Sequence, residues 1–349
     1  MAAIMADIEV TMGQVEELVM DVLRPKLVPF LMSPPGVGKS ALARKIANKY
    51  KLYVIDIRLS TYDPADLNGF PFILNRDTAQ VRAGYVPMNT FPIEGDPLPI
   101  GYVGWLILLD EFNSAPLTVQ AAAYKLILDR MVGMYRLHPK CVVIAAGNRM
   151  IDKAITNRIG TAMQSRVITL MIKVCNDTWH IWADHNEIDH RVKSFLKFKP
   201  DLLHRFDPNH QELTFPCPRT WEFTSRIITP WNKVGLEKLP LLAGTVGQGA
   251  AREFFSYCEI AGQLPTIEQI LQNPEGIGYG DEPSVVHALV GLVAHHMTVL
   301  NVDTLMKFIR RLDIDFQVIA LRSAIAKRPE IKKTKSISQW CVHHAEELL

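Results

Sequence analysis

The sequence predicts an α/β chain: a parallel sheet flanked by helices, followed by a helical region. Three observations carry that expectation. Apolar runs at 27–33, 52–60, 105–110, 141–147 and 167–173 have strand length, and several are apolar almost throughout, as strands buried on both faces must be. Helix-spaced segments lie between some of them, the rhythm of a parallel sheet with helices on both faces. After residue 173 the strand pattern fades and apolar residues recur at helical spacing instead.

Taken in order, residues 11–24 put Val15, Leu18, Val19 and Val22 on one helical face, and Pro25 ends the segment. A helix-forming run, 41–50, follows the first strand. Strand-like stretches 70–74 and 80–85 flank Asn75-Arg76-Asp77-Thr78, which predicts a hairpin turn. The connection 87–104 is rich in proline and glycine. Ser114 and Pro116 predict a helix start and Gly133 a stop; between them Val119, Ala122, Ala123, Leu126 and Ile127 repeat at helix spacing. Residues 177–198, 219–232, 248–261 and 283–327 read as helical, with breaks at Pro230 and over 274–280. There is no internal repeat and no low-complexity tract.

Composition narrows the classes. The chain has 349 residues, 48% of them hydrophobic, enough for two or three domains with their own cores. A net charge of +2 gives no strong field toward nucleic acid or anionic lipid. The five cysteines lack metal-ligand spacing and predict reduced buried thiols in a cytosolic protein. Residues 1–10 carry acidic side chains and no basic start of a secretion signal, and no apolar run approaches a membrane span. His180, His185 and His190 are five apart, not four, so the helical metalloprotease pattern is not met. The pairs His295-His296 and His343-His344 have no cysteine nearby, and no metal site is expected there. Arg191, Lys193, Lys197 and Lys199 alternate with Phe195 and Phe198, which predicts an amphipathic helix with its charges in water rather than a nucleic-acid contact.

Chemistry concentrates in three stretches. Ser33-Pro34-Pro35-Gly36-Val37-Gly38-Lys39-Ser40 joins the first strand to its helix. Strand, glycine loop, lysine, hydroxyl and helix is what a nucleoside-triphosphate loop needs. Backbone N–H groups wrap the phosphates and the helix N-terminus adds partial positive charge. Lys39 then reaches the outer phosphates and the Ser40 hydroxyl ligates Mg²⁺. Ser33 stands where the usual pattern has glycine, which predicts lost backbone freedom and slower turnover. Trp105-Leu106-Ile107-Leu108-Leu109-Asp110-Glu111 ends a buried strand in two carboxylates. Asp110 suits Mg²⁺, held through water in an octahedral oxygen shell, and Glu111 suits polarising the attacking water. Ala145-Ala146-Gly147-Asn148-Arg149 ends a further buried strand. Its C-terminal end lies beside the other two in a parallel sheet, so Asn148 can hydrogen-bond the lytic water or a γ-phosphate oxygen.

These stretches together resemble the MoxR-type branch of the AAA+ ATPases, over about residues 10–230. Thr61-Tyr62-Asp63-Pro64-Ala65-Asp66-Leu67-Asn68-Gly69 resembles the short segment that branch carries after its second strand, and the 70–90 hairpin its characteristic insertion. Residues 158–170 resemble its stretch before the fifth strand, and Cys217-Pro218-Arg219-Thr220-Trp221-Glu222 its second sensor, which opens a lid helix. The resemblance implies an AAA+ P-loop core over 1–173 and a helical lid over 174–235; residues 236–349 match nothing in the family and read as a mainly helical C-terminal extension, either of the lid or as a docking module. It implies that Pro35, Gly36, Val37, Gly38, Lys39, Ser40 and Ala41 bind ATP, that Ser40 and Asp110 hold Mg²⁺, that Glu111 activates water, and that Asn148 is the first sensor. Arg166 becomes the finger that reaches a neighbour's ATP, Arg158 a second candidate for that contact, and Arg219 the lid's cis arginine on ATP. A planar, permanently charged guanidinium suits the charge that builds on a transferring phosphoryl group. Phe70, Phe72 and Tyr85 either line a ring pore or pack the hairpin.

The implied protein is a cytoplasmic ATPase using ATP and Mg²⁺ in a homo-oligomeric ring, typically a hexamer. It remodels a protein client, often with a partner carrying a von Willebrand factor A (VWA) domain. Ser33 and Arg149 depart from the family pattern, the second standing where a proline often follows the sensor Asn. Two alternatives stay open: a nucleic-acid-directed loader or translocase, against which the near-neutral charge argues, and a nucleotide-gated scaffold with little turnover.

Overall fold

A computed structural model describes residues 8–75, 80–152, 157, 159–209 and 212–344. The chain divides into two compact units, Met1–Cys175 and Asn176–Leu349. The first runs β1 (Glu9–Thr11), α1 (Met12–Leu23), β2 (Pro29–Ser33), α2 (Lys39–Lys49), β3 (Leu52–Arg58), α3 (Pro64–Asn68), β4 (Phe70–Leu74) and β5 (Arg82–Val86). It continues with β6 (Gly104–Asp110), α4 (Leu117–Tyr124), β7 (Met131–Val132), β8 (Tyr135–Arg136), β9 (Cys141–Asn148), α5 (Thr161–Gln164) and β10 (Ile168–Lys173). Six strands form one sheet in the order β1-β10-β2-β9-β6-β3, and every pair in it is parallel.

Strand periodicity divides the apolar residues between two layers. From β6, Leu106 and Leu108 join Val15, Val19, Leu42 and Ile46 of α1 and α2 on one face. Ile107 and Leu109 join Phe112, Val119, Ala123 and Leu126 on the other. Fully burying each such side chain contributes about 1.5–3 kcal/mol, so near-continuous apolar strands are what a sheet covered on both sides selects.

The differences from the sequence expectation have local causes. β1 pairs with β10 in register Glu9↔Met171; three residues are too short to show a pattern. The third expected helix is split. α4 ends at Tyr124 and continues as a wider π turn, Lys125–Asp129, closed by Arg130 at φ 55°. Gly133 turns the small β7–β8 hairpin instead of stopping a helix. Its φ is 55°, and a Cβ there would meet Asn68 O at 2.5 Å. β4 and β5 pair antiparallel, Phe70↔Val86 to Leu74↔Arg82; residues 76–78 of the expected turn lie outside the described residues.

The second unit is helical: α6 (Asn176–His185), α7 (His190–Phe198), α8 (Pro218–Ile228), α9 (Leu239–Val246), α10 (Gln248–Ala261), α11 (Ile267–Gln272), α12 (Pro283–His296), α13 (Val302–Ile309), α14 (Ile314–Lys327) and α15 (Lys335–His343). The expected helix 177–198 is broken at Glu187, which takes φ 54°, and Asp189 then caps α7 by accepting from Arg191 N at 2.9 Å. Phe195, Trp221 and Phe254 pack with ring centroids 5.2–5.6 Å apart, joining α7, α8 and α10. A second core gathers Leu289, Val293, Leu305, Phe308, Leu321 and Trp340. The charges on α7 are not all in water, contrary to expectation. Arg191 is bound by Asp189 at 2.7 Å and by the carbonyls of Ile228 and Trp231, and Lys193 pairs with Asp184 at 2.6 Å. All five cysteines are thiols outside any disulfide; Cys141, Cys217 and Cys258 are buried, while Cys175 and Cys341 are only partly so. No helix among the described residues is long and apolar enough to cross a membrane.

Candidate functional site

The strand order reverses direction at β2. The chain crosses to β3, β6 and β9 on one side of it and returns to β10 on the other. Such a switch point opens a crevice at the C-terminal ends of the strands. The loop 34–38 leaves β2 at that point and feeds α2. Gly36 has φ 76° and Gly38 φ 108°, conformations that side chains rarely adopt, so both glycines are needed for the chain to turn there. Pro35 and Val37 lie in the same loop, and Ala41 in the first turn of α2. The first N–H groups of that eleven-residue helix have no intrahelical partner. Positively polarised donors therefore surround the crevice.

Lys39 is buried at the base. Its Nζ donates to Ser33 Oγ and to Asn148 Oδ1, both at 3.0 Å. Ser33 and Asn148 are register partners on β2 and β9, which is why one ammonium reaches both. Ser33 shows no positive φ, so its presence in place of glycine strains nothing. Its hydroxyl instead becomes part of the lysine's cradle, and it donates to Pro34 O at 2.8 Å.

Ser40 Oγ donates to Asp110 Oδ2 at 2.6 Å, bringing the loop hydroxyl to the end of β6. Asp110 Oδ1 accepts from Glu111 N at 2.8 Å. Glu111 takes a left-handed conformation, φ 54°, ψ 33°, uncommon for a side chain with a Cβ and typical of functional sites. Its carboxylate accepts a hydrogen bond from Ser60 Oγ. Asn148 is fixed through its backbone: Asn113 Nδ2 donates to Asn148 O at 2.6 Å, and Asn148 N donates to Asn113 Oδ1 at 3.1 Å. Gly147 makes room for that clamp, since a Cβ there would lie 2.4 Å from Asn113 Oδ1. Arg149 binds the buried Asp152 at 2.9 Å and approaches Glu9 of β1 at 3.7 Å; its charge anchors the strand end.

Arg166 does not join this cluster. It precedes β10, whose register Ile168↔Pro29 aligns it with the start of β2 rather than the end. Its guanidinium lies 5.3 Å from the Tyr124 ring centroid and donates to Ala162 O, and its Nε is buried with no partner among the described residues. It is a half-buried, packed arginine, not a solvated one. Arg158 lies outside the described residues. Arg219 is exposed in the first turn of α8, in the second unit. Phe70, Phe72 and Tyr85 are each about half exposed, so they do not pack the hairpin's interior.

Residues 29–167 match the family described as ATPase family associated with various cellular activities (AAA). This stretch of the chain is similar to an AAA domain. No curated protein matches the sequence. Among solved structures, a mutant of Thermotoga maritima RuvB aligns at 13% identity and TM-score 0.39, covering 76% of this chain and 79% of that one. A putative ATPase from Cytophaga hutchinsonii aligns at 12% and 0.35, covering 97% of this chain and 89% of that one. Likeness at that level carries no argument about activity.

Within the matched stretch the donor set fits the groups that family implies. Ser40 Oγ and Asp110 Oδ2 are oxygen donors of the kind Mg²⁺ takes. Left-handed glycines, a helix N-terminus and a buried lysine fit a triphosphate. Two participants escaped the sequence reading. Ser60 touches Glu111, and Asn113 clamps Asn148; both act from outside the strand-end motifs. Asn113 lies three residues after Asp110, so its position beside the carboxylates was the available clue.

Proposed function

We propose that this chain is an ATP-hydrolysing AAA+ ring ATPase of the MoxR type that remodels a protein client, together with a VWA-domain partner. The observation that carries the reading is the convergence of Lys39, Ser40, Asp110 and Asn148, from a loop and two strands, on one crevice. Lys39 exchanges its bonds to Ser33 and Asn148 for phosphate oxygens. Ser40 and Asp110 would hold Mg²⁺, which would supply charge neutralisation on the phosphates. Glu111, once released by Ser60, orients water and accepts its proton. Asn148 donates its amide to the γ-phosphate or the water. Arg166 of a neighbouring copy neutralises charge on the transferring group, and Arg219 does so from the lid formed by 174–235. Arg158 is the second trans candidate. Residues 236–349 extend the lid and offer the docking face for a partner. The exposed apolar hairpin β4–β5 is the surface assigned to the client.

ATP calorimetry and phosphate release on the purified chain test the site. Lys39→Ala is expected to abolish nucleotide binding, and Glu111→Gln to bind ATP with at least about 10²-fold less turnover. Native turnover by Glu111→Gln would overturn the assignment. The client class is tested by capture on ATP-trapped Glu111→Gln protein: a co-purifying VWA-domain protein supports it, and stimulation of turnover by nucleic acid with steep salt dependence would replace it.

A further inference from the structure

The helical unit contains a cavity where α7, α12 and α14 meet. Its volume is about 20 Å³, room for one compact polar guest. The wall includes Lys193 and Lys197 from α7, His287 and His295 from α12, and Ser323 and Lys327 from α14. α7 and α12 approach closely here: a Cβ on Gly291 would lie 2.7 Å from Ser194 Cβ. Lys193 and Lys197 are one turn apart on α7 and therefore share a face.

The wall is short of negative charge. Lys193 has Asp184 at 2.6 Å. Lys197 Nζ donates to the neutral Ser323 hydroxyl at 2.8 Å, and Lys327 Nζ lies 2.8 Å from His295 Nδ1 and 3.3 Å from His295 O. Among the described residues no carboxylate lies within 4.0 Å of either ammonium. Asp184 and, less strongly, Asp177 act on Lys197 from farther off, as Glu187 and Asp189 do on Lys327, while Lys193, Arg322 and Arg328 add positive charge. Lysines withdrawn from water are normally paired. Burial accordingly pulls Lys197 and Lys327 down to about 8. Donors also stand ready: the Ser323 hydroxyl has its hydrogen free to donate while its oxygen accepts from Lys197, and His287 Nδ1, buried with no partner among the described residues, donates in the tautomer that carries its proton there.

We propose that this cavity binds a compact oxyanion of the phosphate type, either the free ion or the terminal phosphoryl group of a larger molecule. Two negative charges match the two unpaired ammonium groups, and the oxygens accept from Ser323 and His287. This site is independent of the nucleotide reading.

The test uses the full chain carrying Lys39→Ala, so that the phosphate loop contributes nothing. Calorimetry with inorganic phosphate at constant ionic strength is expected to show uptake at one site. Adding Lys197→Met and Lys327→Met should weaken it by about tenfold or more for each ammonium removed. Glycerol phosphate is the second arm: binding of both compounds assigns a carried phosphoryl group, and binding of inorganic phosphate alone assigns the free ion. No uptake of either, or uptake unchanged in the double variant, overturns the proposal. If the double variant does not fold, lysine acylation in the Lys39→Ala chain, read by mass spectrometry, decides. Phosphate should slow labelling of Lys197 and Lys327 at least about fivefold, and equal labelling with and without phosphate overturns the site.

Discussion

Lys39 donates to neutral acceptors, at 3.0 Å to Ser33 Oγ and Asn148 Oδ1 and more weakly to the carbonyls of Ser33 and Pro34, that a phosphate must replace. Each is worth about 1 kcal/mol. Ser33→Gly removes one competitor and leaves the lysine intact, so ATP affinity should rise about fivefold. The measurement is calorimetric Kd; an unchanged or weaker Kd would show that the serine helps more than it competes. Asn113 gives the opposite case. Asn113→Ala strips partners from both the N–H and the C=O of Asn148, two groups that are costly to leave unmet in a partly buried site. The variant should lose about 2–4 kcal/mol of stability and lower kcat more than it weakens nucleotide binding, because Asn148 is displaced while Lys39 and Ser40 stay. Denaturant melts and steady-state kinetics check both halves. Equal loss in kcat and affinity would mean that the clamp supports the loop rather than the sensor strand.

At the scale of elements, β2, β6 and β9 were legible because strands covered on both faces must be apolar throughout. Lys39, Ser40 and Asp110 were legible because their spacing follows from a backbone loop and a strand end. Ser60 and Asn113 were not, since their partners depend on which strands lie side by side, and pattern along the chain does not encode that. The same holds for the helix over 177–198: helical spacing persists through Glu187, and only its left-handed backbone shows the break. Gly147 tests the tertiary part. Gly147→Ala would put a methyl 2.4 Å from Asn113 Oδ1 and 2.9 Å from Phe30 Cζ. The shift should cost about 1–3 kcal/mol and lower turnover as Asn113→Ala does; an unperturbed melt would show that the clamp is soft. The helical unit should respond to acid. Burial holds His190 and His287 down to about 4 and His295 to about 3, below the ordinary 6.5. The unfolded chain therefore binds protons that the folded one refuses. Stability is full above pH 6.5 and falls as pH drops from 6.5 toward 4. A melting temperature flat from pH 7 to pH 5 would contradict that burial.

For the whole molecule the question is whether the trans role proposed for Arg166 fits its place in the fold. The strands are parallel, and Arg166 sits at the N-terminal end of β10 while the phosphate loop leaves the C-terminal end of β2. At about 3.3 Å per residue the length of β2 separates them by roughly 15 Å. An arginine pinned over Tyr124 does not span that distance to its own nucleotide. In a closed ring of head-to-tail interfaces, the same position on one copy can face the next copy's crevice. Arg166→Ala should therefore bind ATP normally and lose at least about 10³-fold in turnover; Glu111→Gln also binds and loses turnover, for a different reason. Each variant is dead alone, but the defects lie on opposite sides of the shared site. When the two are mixed in equal amounts, an interface with native Glu111 from one copy and native Arg166 from the other re-forms in about a quarter of random pairings. Turnover should reappear on mixing and pass through a maximum near equal proportions. It should also fall on dilution below the concentration at which rings assemble. A mixture as inactive as its components at every ratio, with ring assembly verified by light scattering, would remove Arg166 from the trans role.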